Sequence, residues 1–227
     1  MGEAGTRPAG ISLSRALDVP PGLAYDPIRE AIAAIDSVHG DGDLVPIRVT
    51  LRSFSQREGR FRIDPTNGTP DSIEVVTAAR PRLAVLHEIG HFLDYAGIGS
   101  ANRFASETSS LMRPWRDAVR NSRAFSDLAL MRRTGVAPVH SPGEESQLGA
   151  VDLPYVQYLL KYNELWARSY VQFIALRSRD RLLRTDLDAR RLRPDGMVYV
   201  PRFWDDEDYE PVERMVETLF RRLKWIT

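Results

Sequence analysis

The 227-residue chain contains no cysteine. Disulfide staples, thiolate zinc sites, iron–sulfur clusters and cysteine nucleophiles are therefore excluded. It also lacks any apolar run approaching the roughly 18–20 residues of a membrane-spanning helix, so no membrane partner is expected. No basic start followed by an apolar stretch opens the chain, and no secretory signal is read there. An excess of one charge is missing too. Its 31 basic and 31 acidic side chains give a formal net charge of zero, without the basic footprint that nucleic-acid binding calls for. Histidine is scarce, with four in all.

What is present suits a folded domain. Hydrophobic residues make up 43% of the chain, enough for a sizeable core, and the length favours one domain. Residues 1–21 read as a flexible tail, because Gly2, Gly5, Pro8, Gly10, Pro20 and Pro21 break any periodicity. Residues 22–227 read as a single domain. Asp26-Pro27 marks an N-cap and first helical position, Ile28, Ala31, Ile35 and Val38 recur at helical spacing, and Gly40 ends that helix. Alternation over Leu44–Leu51 predicts a half-buried strand, and Arg60–Ile63 and Ser72–Val76 predict two more around the turn-rich 64–68. From Pro81 onward the pattern is almost wholly helical. The fold class expected is α+β, predominantly helical, with a small N-terminal sheet. A last helix carries the stripe Val212, Met215, Val216, Leu219, Phe220 and Leu223, acidic residues before it and basic ones at its end, and packs on the domain body.

One motif carries chemistry. Residues 87–91 read His-Glu-Ile-Gly-His, the H-E-x-x-H pattern of zinc metallopeptidases. It works only on a helix, where side chains four apart share a face. Pro81 in the first turn, Leu83, Leu86, Ile89 and Leu93 in phase, and Gly97 as a stop supply that helix. His87 and His91 can then bind one metal, while Glu88 flanks it as the base that takes a proton from water. Gly90 costs a helix roughly 1 kcal/mol relative to Ala, so its presence points to a close approach at the backbone.

Catalytic zinc needs a third protein ligand and an open position. His39 ends a helix, and His140 sits in a proline-flanked loop where solvation is expected. Asp94 shares the histidine face but is too near in sequence to reach the metal without strain. It reads either as an orienting partner of an imidazole or as a surface acid. Glu164 is the stronger choice, in a long helix expected from about Pro154 to Arg177. Ala167, Val171 and Ala175 give it a small-residue face for close packing, and a carboxylate there needs a partner. The alternative pairs Glu164 with Arg168 one turn on.

Taken together, His87-Glu88-Ile89-Gly90-His91-Phe92-Leu93-Asp94 and the later Asn163-Glu164-Leu165-Trp166-Ala167 resemble the catalytic core of the gluzincin metallopeptidases. The resemblance is to domains of the anthrax lethal factor type and to zincin-like domains of phage and mobile-element proteins. It implies a zincin-like fold with the H-E-x-x-H helix at the active site, Zn²⁺ on His87, His91 and Glu164, and Glu88 as general base. It also implies a tyrosine or histidine that stabilises the oxyanion. Tyr155, Tyr158 and Tyr162 are candidates, and Tyr158 is preferred. The strand Ser72–Thr77 resembles the edge along which zincins bind an extended substrate.

The expected function is zinc-dependent hydrolysis of peptide bonds in a protein or peptide substrate. The alternative is a zincin-like structural or interaction module without significant turnover. Nucleic-acid binding through the arginine-rich 177–193 is weaker, because Asp180, Asp186 and Asp188 interrupt it. A cytoplasmic location is expected, with delivery by a phage or as an effector the other route. Oligomeric state is not encoded in these patterns.

Overall fold

Leu13, Ala16 and Leu17 are buried in the core of the computed structural model, which describes residues 10–40, 44–53, 58–76, 81–99, 103–139, 147–192 and 196–227. Of the expected tail, residues 1–9 lie outside the described residues, and from Gly10 the chain is part of the fold. A single 3₁₀ turn (Leu13–Ala16) leads into strand β1 (Leu17–Asp18). The Arg29 guanidinium then donates to the Pro20 carbonyl at 2.9 Å and the Gly22 carbonyl at 2.6 Å. That cation holds a stretch whose own sequence favours no regular structure.

Helix α1 (Asp26–Asp36) buries Ile28, Ala31 and Ile35, as the spacing predicts. Its cap is Tyr25 rather than Asp26, whose carboxylate lies inside the first turn and accepts from Arg29 at 2.5 Å. Strands β2 (Ile47–Arg52), β3 (Gly59–Ile63) and β4 (Pro70–Val76) complete a four-stranded sheet in the order β1-β2-β4-β3. β1 and β4 run parallel to β2, and β3 runs antiparallel to β4. β2 starts three residues later than the alternation from Leu44 predicts. Pro46 has no N–H to give a ladder, and Val45 is 67% exposed.

The remainder of the chain is mostly helical, as expected. Helix α2 (Pro81–Phe92) runs into a π turn (Leu93–Gly97) and is followed by α3 (Ala105–Thr108), α4 (Arg113–Arg120) and α5 (Arg123–Thr134). A small hairpin, β5 (Val136–Pro138) and β6 (Leu148–Ala150), precedes α6 (Leu153–Leu159), α7 (Tyr162–Arg177), α8 (Arg181–Arg191) and α9 (Asp206–Arg222). Among the described residues 58% are helical, and no helix is long and apolar enough to cross a membrane.

The helix expected from about Pro154 to Arg177 is two helices. Leu160 ends α6 and an extended Lys161 begins α7. The buried Arg168 guanidinium makes the break tenable by donating to the Leu159 carbonyl at the end of α6. It also donates to the Arg202 carbonyl at 2.7 Å and to the Glu164 carbonyl at 3.2 Å. As a result Glu164 stands in the first turn of α7, where the helix dipole favours a carboxylate.

α2 and α7 pack face to face at the centre of the core. A Cβ on Gly90 would lie 3.0 Å from the Ala167 Cα and 3.3 Å from the Tyr170 ring. The close approach that Gly90 signals is therefore that of α7. Trp166 adds a hydrogen bond from Nε1 to the Gly90 carbonyl at 3.0 Å. α9 covers α7 with Val212, Val216, Leu219 and Phe220 buried.

His39 lies behind this helix pair, fully buried. Its Nδ1 faces the Gly40 carbonyl at 2.8 Å, so that nitrogen carries the proton and Nε2 accepts from the Tyr170 hydroxyl at 2.9 Å. Burial lowers its pKa from 6.5 to about 4. Between those values the unfolded chain binds the proton and the folded one does not, so stability falls as pH drops from 6.5 towards 4. In urea unfolding at pH 7 and pH 5, His39→Gln should shrink the stability difference between the two by about 2 kcal/mol relative to the parent. An equal pH response in both proteins would show that the ring titrates normally.

Candidate metal centre

His87 and His91 stand one turn apart on α2, their rings perpendicular (88°) with centroids 4.8 Å apart. Both turn Nε2 towards the Glu164 carboxylate, which lies 3.2 Å from His87 and 3.5 Å from His91. One ligand atom from each residue falls within 4.8 Å of the others. The three arrive from α2 and α7, brought together by the Gly90–Ala167 contact one turn below. Two imidazoles and a carboxylate so placed could hold a metal ion.

The electrostatics are those of a site held together by opposite charge. Burial pushes the Glu164 carboxyl up, but hydrogen bonds and charges from both histidines outweigh it and hold the group far below the usual carboxylate range. Burial opposes the His91 cation, yet Glu164, Glu88 and Asp94 raise its pKa. The His91 Nδ1 is buried with no hydrogen-bond partner among the described residues. Asp94, read as an orienting partner of an imidazole or a surface acid, is neither. It is fully buried and accepts from the Ser106 N–H at 2.7 Å and the Ser106 hydroxyl at 2.5 Å. Burial pushes its pKa up to about 7, against those two hydrogen bonds. Asp94 thus ties the π turn to α3.

Glu88 is not one of the clustered ligand residues and lies against β3, lining the same cleft. Its Oε2 accepts from the Phe61 N–H at 2.7 Å. A Cβ on Gly59 would come within 2.8 Å of the Glu88 Cγ and Oε1, so only glycine admits the side chain in this position. Burial raises the Glu88 carboxyl, and His87, His91 and the Phe61 N–H oppose that shift. The sequence reading missed Gly59 and Phe61. A glycine at the start of a predicted strand is the signal that marks such an approach.

β3, not β4, is the edge strand on this side of the sheet, because β4 is paired on both sides and β1 forms the opposite edge. The expectation that Ser72–Thr77 forms a substrate-binding edge is therefore corrected, with Thr77 outside the described residues. The Glu58 carbonyl accepts from Val76 N–H in the β4 direction at 2.9 Å. The alternate residues Gly59 and Phe61 turn their backbone groups to the free edge, into the cleft. That cleft, about 750 Å³, is lined by β3, His87, Glu88, His91 and Glu164, and its far wall carries Tyr155 and Tyr158. His87, with 22% of its side chain exposed, opens onto it.

The three tyrosines separate clearly. Tyr158 faces Glu164, and burial first and that carboxylate second push its hydroxyl well above the usual phenol range. Tyr155 stacks on it at 6.3 Å. Tyr162 is turned to the other side, where Arg120 bonds its hydroxyl and Trp115 packs on its ring. Glu164 is not paired with Arg168 through its carboxylate, since that guanidinium takes its backbone carbonyl. His39 is a satisfied core histidine, and His140 lies outside the described residues. No protein-family model, curated protein or solved structure matches the chain.

Proposed function

We propose that the chain is a zinc-dependent peptidase of zincin type, on a zincin-like fold built around α2. The observation that carries this reading is the meeting of Glu164 from α7 with His87 and His91 from α2, beside a Glu88 that is itself no part of the donor set. Such a division of one helix into two ligands and one free base suits the metal-assisted hydrolysis of a peptide bond.

His87, His91 and Glu164 would hold Zn²⁺, which supplies Lewis acidity to a water molecule and to the scissile carbonyl. Glu88 takes the proton from the attacking water as its oxygen bonds to the carbonyl carbon. It then gives that proton to the amide nitrogen, and the C–N bond breaks to release the amine. The Phe61 N–H fixes one oxygen of Glu88 and leaves the other free for this transfer. Tyr158, a neutral hydroxyl on the cleft wall, donates to the developing oxyanion. The substrate is an extended segment pairing with the free edge of β3, where main-chain groups supply the contacts.

Protein purified without chelator should hold stoichiometric zinc, and a His87→Ala/His91→Ala variant very little, by metal analysis. Cleavage of an unfolded protein substrate should stop on chelation and return with added zinc. Bound zinc with no cleavage of any peptide would favour the interaction-module reading instead. Absence of zinc from the untreated protein removes the metal reading altogether.

A further inference from the structure

The chain as a whole is electrically balanced, but the cleft is not. Setting aside Glu88 and Glu164, its lining among the described residues includes Arg60, Lys161, Arg168, Arg190 and Arg202 against the single carboxylate of Glu58. Glu58 is already engaged by Arg190. Arg168 is buried, with its donors spent on backbone carbonyls, so its charge is fixed in the wall with no carboxylate of a described residue bonded to it. Lys161 and Arg202 are exposed, and no carboxylate of a described residue lies within 4.0 Å of either cation. Each rests instead on an aromatic face: Arg202 is 5.4 Å from the Tyr155 ring centre and Lys161 is 5.9 Å from that of Tyr158.

These two tyrosines stack at an interplanar angle of 18°, so the wall beside Glu164 is an aromatic pair carrying two cations that no carboxylate among the described residues pairs. A metal ion held by His87, His91 and Glu164 adds positive charge and does not cancel them. Low-dielectric walls lined by one sign of charge focus the field into the cleft and favour ligands of the other sign. We propose that the cleft selects peptide segments with aspartate or glutamate side chains within a few residues of the scissile bond, read by Lys161 and Arg202. The position relative to a scissile bond rests on the proposed peptidase function. The preference for acidic segments is measurable as binding alone.

The probes are labelled peptides of one length whose central bond is flanked by Asp/Glu, by Asn/Gln or by Lys/Arg, with a single-stranded oligonucleotide as a fourth. Their binding to the full chain, zinc-loaded and carrying Glu88→Gln to prevent turnover, is followed by fluorescence anisotropy. The acidic peptide should bind about tenfold more tightly than the neutral one at ~0.05 M salt, and the ratio should approach unity at ~0.5 M. Lys161→Glu/Arg202→Glu should reverse the order of acidic and basic peptides. Lys161→Gln/Arg202→Gln, checked for unchanged circular dichroism, should abolish the preference without reversing it.

An acidic peptide that binds no better than the neutral one overturns the inference, as does an oligonucleotide that binds more tightly than any peptide. Cleavage by the unmodified protein without acidic preference also removes this inference and leaves the peptidase reading intact. Tight, salt-sensitive binding of the acidic peptide without cleavage removes the peptidase reading and leaves the selection standing.

Discussion

Replacing Glu88 by Gln is expected to slow peptide hydrolysis by about 10³-fold while zinc stays bound, because the residue moves a proton and holds no metal. Gln keeps the size of the side chain, and its carbonyl still accepts from the Phe61 N–H that now binds Glu88 at 2.7 Å. What is lost is the lone pair that takes a proton. The measurement is kcat alongside metal content, and loss of zinc from the variant would show that Glu88 is a ligand. Gly59→Ala probes the same group from outside. Its new Cβ would meet Glu88 at 2.8 Å, and a flexible carboxylate yields more readily than a strand. A displacement of about 1 Å is worth up to ~10²-fold in rate, so kcat should fall at least ~10-fold with zinc content unchanged. Activity unaffected by a methyl group at this position would mean that the carboxylate works elsewhere.

The helices were legible wherever their chemistry is periodic. His87, Glu88 and His91 sit on α2 as their spacing requires, and Ile28, Ala31 and Ile35 are buried on α1. Glu164 was legible for a different reason, since small residues at helical spacing beside a carboxylate announce a close partner, and Gly90 announces the same contact from the other helix. Features set by tertiary choice were not. Strand patterns at Arg60–Ile63 and Ser72–Val76 look alike, and which of them becomes the edge depends on β2 pairing with β4. The break between α6 and α7 has no proline or glycine at Leu160 or Lys161. It depends on a guanidinium nine residues along the chain reaching back to the Leu159 carbonyl. Asp94 bonds Ser106 across a turn that no periodicity connects. Residues 10–21 are held by Arg29 and by β2, neither of which their own composition reveals.

Glu164→Ala carries the greatest consequence for the site, because that carboxylate is the only contribution of α7 to the donor set. Two imidazoles alone form an incomplete site for zinc, and loss of a ligand in contact with the ion should weaken binding by at least ~10²-fold, more than loss of an outer partner would. The effect is readable without turnover. Zinc at 100 times its Kd stabilises the folded parent by about 2.7 kcal/mol, whereas the same zinc at a Kd 100-fold weaker gives only about 0.4 kcal/mol. The zinc-induced rise in Tm should therefore nearly vanish in the variant and return when zinc is raised about 100-fold. Glu107→Ala, on the exposed face of α3, should respond to zinc as the parent does. Metal-free, the variant also leaves His91 buried without the carboxylate that raises its pKa, so that imidazole should titrate at lower pH by NMR. A zinc response equal to that of the parent would remove Glu164 from the site. Since Asp94 is committed to Ser106, no other carboxylate on the described cleft wall but Glu88 and Glu58 would remain to replace it.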